Sequence, residues 1–252
     1  MTKIIIFAYM AIKRLYPNLI RAVVESLQRI FHKNDYADKV IQQALKSNPK
    51  WGARDRAFIA ETTYDIVRWY RLLYEILGKR PVSEADWWLI VGILQLLQGN
   101  TLPKWREFQS LDAKRIQQRK QELSSIRKIQ ESIPDWLDQL GTKELAAKWP
   151  PTIHALNEQA QVVLRANTLK TTPKTLHKKL LEDGIQTKLL ADNALLVTER
   201  KNLFRTDAFR KGWFEVQDFS SQQVAPFVQA EPGLRIVDAC AGAGGKTLHL
   251  AA

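Results

Sequence analysis

The apolar residues of this chain change period part way along, and that change excludes a fold built from one kind of element. Before residue 130 they recur at helical spacing. Pro17 can open a helix at its first turn, and Ala22, Val23, Leu27, Ile30 and Phe31 follow on one face. A second segment carries Phe58, Ile59, Thr62, Ile66, Val67, Trp69, Tyr70, Leu73, Ile76 and Leu77, with Asp55 expected as its N-cap and Gly78 at its end. The run "DWWLIVGILQLLQG" (Asp86–Gly99) is apolar nearly all round. Such a helix belongs in the middle of a bundle, with Trp87 and Trp88 in the core and Asp86 as the expected cap. Three prolines and a glycine between Ser132 and Pro151 then break the helical period, which predicts a linker over 131–150.

Beyond the break the pattern alternates. "QVVLRANTLK" reads as a strand. "TTPKTLHKKLLEDG" reads as a helix with Thr172 as N-cap, Pro173 at its first position and Gly184 just past its end. "IQTKLL" and "NALLV" read as short strands, so 151–214 is expected to be a small α+β unit after an all-α domain over 1–130. A third grammar begins near 215. Ser220 or Ser221 is placed to cap a short helix, and Pro232-Gly233 makes a turn. Leu234 to Asp238 is an expected strand, a glycine-rich loop follows, and a helix starts from Lys246. This is the order of the first β-loop-α unit of a doubly wound sheet.

Lys and Arg outnumber Asp and Glu 38 to 26, giving a net charge of +12. An anionic partner is expected, nucleic acid first, with solubility charge or a membrane-surface patch as the other readings. Lys104, Arg106, Lys114, Arg115, Arg119, Lys120, Arg127 and Lys128 concentrate that charge, either as a solvated helix face or as an RNA-facing surface. Arg165, Lys170, Lys174, Lys178 and Lys179 continue it into the α+β unit. Cys240 is the only cysteine, so neither an internal disulfide nor a cysteine-based zinc site is possible, and no metal is expected. A reducing, cytoplasmic setting fits. The apolar stretch Ile4–Ile12 is too short to span a membrane and has no small-x-small cleavage site after it; it is expected to start a buried strand or helix.

The loop "IVDACAGAGGKTLHL" (Ile236–Leu250) admits three readings. A Walker A loop requires glycine five residues before Gly245, and that position is Cys240. A dinucleotide fingerprint requires a third glycine where Thr247 stands. The spacing of Asp238, Cys240, Gly242 and Gly244 instead suits the first loop of a class I S-adenosylmethionine-dependent methyltransferase: an acid at the strand end, then small residues at every second position. Small residues let the backbone approach the methionine part of the cofactor, and amides at the helix start favour its carboxylate.

This loop resembles the first motif of the RNA cytosine-5 methyltransferases of the NOP2/Sun family, Asp-x-Cys-Ala-Ala-Pro-Gly-Gly-Lys-Thr. Asp238, Cys240, Ala241, Gly244, Gly245, Lys246 and Thr247 match it, while Gly242 and Ala243 replace Ala-Pro. "VQDFSSQ" (Val216–Gln222) and "LRANTLK" (Leu164–Lys170) are similar to the family's segments before that motif, and "DRAFIAETTYDIVRW" (Asp55–Trp69) resembles the NusB-like domain of its Sun/Fmu-type bacterial members. The resemblance implies three parts: an all-α NusB-like bundle, a small α+β subdomain, and over 215–252 the truncated start of a Rossmann-like methyltransferase domain. It implies S-adenosyl-L-methionine bound by Cys240, Ala241, Gly242, Ala243, Gly244, Gly245 and Lys246. It also implies RNA, rRNA foremost, as the partner of a monomer. Arg165 is the candidate RNA contact, with a surface ion pair as its other reading. The family attacks cytosine C6 with a cysteine from a later motif, so Cys240 is not expected to be the nucleophile, and no catalytic residue is assigned. The chain reads as the N-terminal portion of a longer enzyme, inactive alone; the other reading is a non-catalytic NusB-like RNA-binding module.

Overall fold

The computed structural model describes residues 14–191, 193–199 and 201–252. The element expected at Ile4–Ile12 lies outside the described residues. The chain divides into two compact units, Met1–Glu158 and Gln159–Ala252.

The first unit is helical: α1 (Pro17–Lys33), α2 (Ala37–Ser47), α3 (Ala53–Arg68), α4 (Tyr70–Leu77), α5 (Glu84–Leu97), α6 (Ala113–Leu123), α7 (Arg127–Gln130), α8 (Asp135–Leu145) and α9 (Trp149–Asn157). As its composition requires, α5 is central and packs against α1, α3, α4 and α6. Trp87, Ile90, Val91 and Leu94 are wholly buried and Trp88 nearly so. Burying each such side chain stabilises the fold by roughly 1.5–3 kcal/mol. Phe31, Tyr70 and Trp87 cluster as a triangle of rings, with centroids 4.1, 5.1 and 6.0 Å apart.

Two expected caps move. Helix α5 is capped by Ser83, whose Oγ accepts from the Asp86 amide at 3.2 Å, while Asp86 Oδ2 accepts from the Ser83 amide at 3.0 Å. Asp86 is the third residue of this reciprocal box because a carboxylate there reaches back over the first turn. Asp55 plays the same part in α3: it accepts from the Gly52 amide at 3.1 Å and does not cap the helix. The segment expected as one helix from Asp55 to Leu77 breaks at Trp69. Ser132 Oγ accepts from the Arg71 and Leu72 amides at 2.9 and 3.3 Å, supplying an acceptor outside the helical ladder.

The interval 131–150, expected as a linker, holds α8 and the start of α9. Its prolines stand at helix starts, where a missing N–H costs little: Pro134 precedes α8, and Pro150 and Pro151 lie in the first turn of α9. Ile133, Trp149 and Ile153 form a small core. Gly141 fits against Trp149 because a Cβ there would overlap the indole.

The second unit contains β1 (Val162–Ala166), α10 (Pro173–Glu182), β2 (Thr187–Ala191), β3 (Ala194–Val197), α11 (Asp207–Arg210), β4 (Phe214–Val216), α12 (Phe219–Gln222), α13 (Val224–Val228) and α14 (Gly245–Leu250). The strands make an antiparallel sheet in the order β2-β3-β1-β4, with Arg165 opposite Ala194 on one side and Glu215 on the other. Leu164 and Ala166 face a core with Leu176 and Leu180 of α10, Leu195 and Phe214. Thr172 caps α10 by accepting from the Thr175 amide at 3.2 Å, and Gly184 takes φ +75° after its end, as the sequence indicates. Helix α12 is capped by Asp218, which accepts from the Ser220 and Ser221 amides; neither serine is the cap, because the carboxylate two residues earlier already meets both N–H groups. Leu234–Asp238, expected as a strand, joins no ladder among the described residues. A strand exists only where a neighbour takes its N–H and C=O groups.

Candidate functional site

The glycine loop is organised by one acid. Asp238 Oδ1 accepts from the Cys240 amide at 3.1 Å, and Oδ2 accepts from Thr247 Oγ1 at 2.7 Å. The two bonds tie the start of the loop to the first turn of α14, so Asp238 orders the loop. The Gly244 amide donates to Ala241 O at 2.8 Å and closes a turn. Gly242 and Gly244 sit at φ +55° and +82°, the left-handed region that an L side chain enters only at a cost of roughly 1–2 kcal/mol.

Ala241, Gly242, Ala243, Gly245 and Lys246 are exposed, as is the free thiol of Cys240, and Gly244 is half-buried. A Cβ built on Gly244 or Gly245 meets nothing within 4 Å. Within these residues nothing packs against Gly244 or Gly245, and the loop backbone is exposed.

Arg165 is not on an exposed basic surface. It is 3% exposed, and its Nε donates to Gln217 Oε1 at 2.9 Å. Burial pulls its pKa below the usual arginine value, with Glu215 opposing that shift. The alternation of β1 explains the placement. Leu164 and Ala166 turn to the α10 core, and Arg165 takes the other face, where α12 packs. The expectation of a surface ion pair is thereby corrected. Gln217 was not singled out from the sequence; its signal lay in the "VQDFSSQ" segment. His249, one turn into α14, has its pKa lowered by burial and then by the charge of Arg165.

The basic stretch over 104–130 divides. Arg127 binds Asp138 at 2.7 Å and Lys128 binds Asp135 at 2.9 Å, both structural pairs. Lys104, Arg106, Lys114, Arg115 and Arg119 are exposed. The last three rim a cleft of about 850 Å³ whose apolar wall includes Leu89 and Ile93. No group of three or more potential metal ligands occurs among the described residues, and none of their helices is long and apolar enough to cross a membrane.

Comparison with known proteins fits this geometry. A family model described as "Methyltr_RsmF/B-like, ferredoxin-like domain" matches residues 133–203. A Synechocystis protein named "Probable ribosomal RNA small subunit methyltransferase B" is 30% identical over 261 residues, covering 89% of this chain and 58% of the relative. A Pasteurella multocida "Ribosomal RNA small subunit methyltransferase B" is 36% identical over 119 residues, 46% of this chain and 26% of that one. The Klebsiella pneumoniae protein of the same name is 22% identical over 262 residues, 92% and 60% of the two chains. The chain thus spans at most about three-fifths of the length of these relatives. The crystal structure of PH0851 has the same fold, with a TM-score of 0.60 at 22% identity over 94% of this chain and 61% of that one. A helical unit and a small antiparallel sheet make this a multidomain α+β chain, consistent with the architecture of the relatives named methyltransferases. These matches support a place for the chain in the NOP2/Sun (Sun/Fmu-type) family.

Proposed function

We propose that residues 1–252 carry the RNA-binding and cofactor-loop portion of an S-adenosylmethionine-dependent rRNA (cytosine-C5) methyltransferase and do not turn over alone. The observation that carries this reading is the loop held open by Asp238, with small residues facing free space. Such a backbone admits the methionine part of the cofactor without Cβ clashes. When bound, S-adenosylmethionine supplies an electrophilic methyl group. In this reading Cys240 to Lys246 surround its methionine end, Asp238 holds them in register, and the 215–252 segment belongs to a Rossmann-like domain. Cys240 is the only thiol and lies in the loop, so no residue here is assigned to the covalent attack on cytosine. The helical unit is read as NusB-like, with Lys114, Arg115 and Arg119 meeting rRNA phosphates. A soluble cytoplasmic monomer completes the proposal.

Purified 1–252 incubated with small-subunit rRNA and tritiated S-adenosylmethionine is expected to give no labelled 5-methylcytidine while retaining RNA in a salt-dependent gel shift. Labelled product would overturn the inactivity. A loop that responds to ATP and not to S-adenosylmethionine would overturn the cofactor. The exposed basic rim of α6 favours a second reading, a non-catalytic RNA-binding module, which predicts the gel shift and no cofactor contact at all.

A further inference from the structure

Arg165 and Gln217 form a buried polar bridge from the small sheet to the glycine loop. Gln217 directly follows β4; its amide donates to Val163 O of β1 at 3.0 Å, and its carbonyl accepts from Gln222 Nε2 at 2.9 Å. Both ends of its backbone are therefore fixed. Its side chain has two ends of opposite character. Oε1 accepts from Arg165 Nε at 2.9 Å, and Nε2 donates to Gly245 O, the first residue of α14, at 3.3 Å. Both side chains are more than nine-tenths buried. Because Arg165 can only donate, it fixes which way round the Gln217 amide lies, and so aims the NH2 end at the loop. The run of contacts is continuous: β1, Arg165, Gln217, Gly245, then through α14 to Thr247 and Asp238. The field of Arg165 reaches the same helix at His249.

We propose that Arg165 and Gln217 are positioning residues for the cofactor loop, acting through the Gly245 carbonyl without touching the cofactor. This rests on the reading of the loop as a cofactor site. It gives Arg165 a role that needs no RNA contact and explains why a guanidinium is buried in a sheet that could hold an apolar side chain.

Gln217→Glu separates the two ends, because a carboxylate still accepts from Arg165 and no longer donates to Gly245. In hydrogen-exchange mass spectrometry of the 1–252 chain, this variant should exchange the 246–250 amides about threefold to tenfold faster, the scale of one lost hydrogen bond. Peptides from β1 and β4 should stay as in the parent. Arg165→Lys keeps the charge but not the Nε donor and should show the same pattern, which guards against a folding failure of the first variant. In parallel, amide NMR shifts on titrating S-adenosylhomocysteine should give a dissociation constant weakened by a similar factor in both variants. Unchanged exchange at 246–250 in both would overturn the bridge. Faster exchange, with no shift of loop amides in the parent protein at millimolar S-adenosylhomocysteine, would leave the bridge standing and overturn its cofactor role.

Discussion

Helix α5 and the apolar side chains Leu234, Ile236 and Val237 end in opposite surroundings. Trp87 is wholly buried, whereas Val237 is 87% exposed. A helix satisfies its own backbone and needs neighbours only for its side chains. An extended run needs a neighbour for its side chains and for every N–H and C=O as well. The glycine loop that follows Val237 is accordingly held by polar contacts, those of Asp238 and Gln217, while α5 is held by packing.

The comparison breaks most visibly at these two side chains. Trp87→Ala should lower the unfolding free energy of the helical unit by about 3–5 kcal/mol in urea denaturation. Val237→Ala should change stability by less than about 0.5 kcal/mol. Equal losses would show that the two runs are packed alike. A smaller effect is electrostatic. Burial, and then Glu61, raise the Asp65 carboxyl to about 6, with Arg68 opposing. An acid raised above its unfolded value of about 3.9 binds more protons when folded, so the helical unit loses stability as pH rises from about 4 through 6. Asp65→Asn should remove that slope and stabilise the protein at pH 7.5 by about 1 kcal/mol after screening, with the gap closing near pH 4. Thermal midpoints at the two pH values read this directly, and a parallel pair of curves would contradict it. Ser83→Ala should cost about 1 kcal/mol through the lost cap of α5. Gly244→Ala should strain the loop by a similar amount yet leave the melting of the helical unit unmoved. The mildest test is chemical: Cys240 should be alkylated by iodoacetamide in the folded protein, and a protected thiol would mean that the loop is covered.

The sequence showed the element types wherever one residue type dictated geometry. Pro17, Gly78, Thr172 and Gly184 mark helix ends where expected, and the all-round apolar character of α5 located the core. Caps were less legible, because an acid three residues into a helix looks like one at its start: Asp55 and Asp86 both lie at that inner position. At the break after Trp69, two freed amides are met by Ser132, some sixty residues away, and no local pattern carries that information. Prolines at 134, 150 and 151 read as breakers although they open helices. In the site, the spacing of Asp238 and the glycines was legible because backbone freedom demands glycine. Arg165 looked like a surface cation until its place on β1 put it behind the loop beside Gln217, a relation that only the strand register reveals.

The central claim is that the open backbone of residues 238–247 receives S-adenosylmethionine. Amide NMR spectra of the 1–252 chain, titrated to millimolar S-adenosylmethionine and separately with ATP, test it most directly. Shifts confined to 238–250 with S-adenosylmethionine, and none with ATP, are the expected result. Shifts with ATP alone, or none with either, would contradict it.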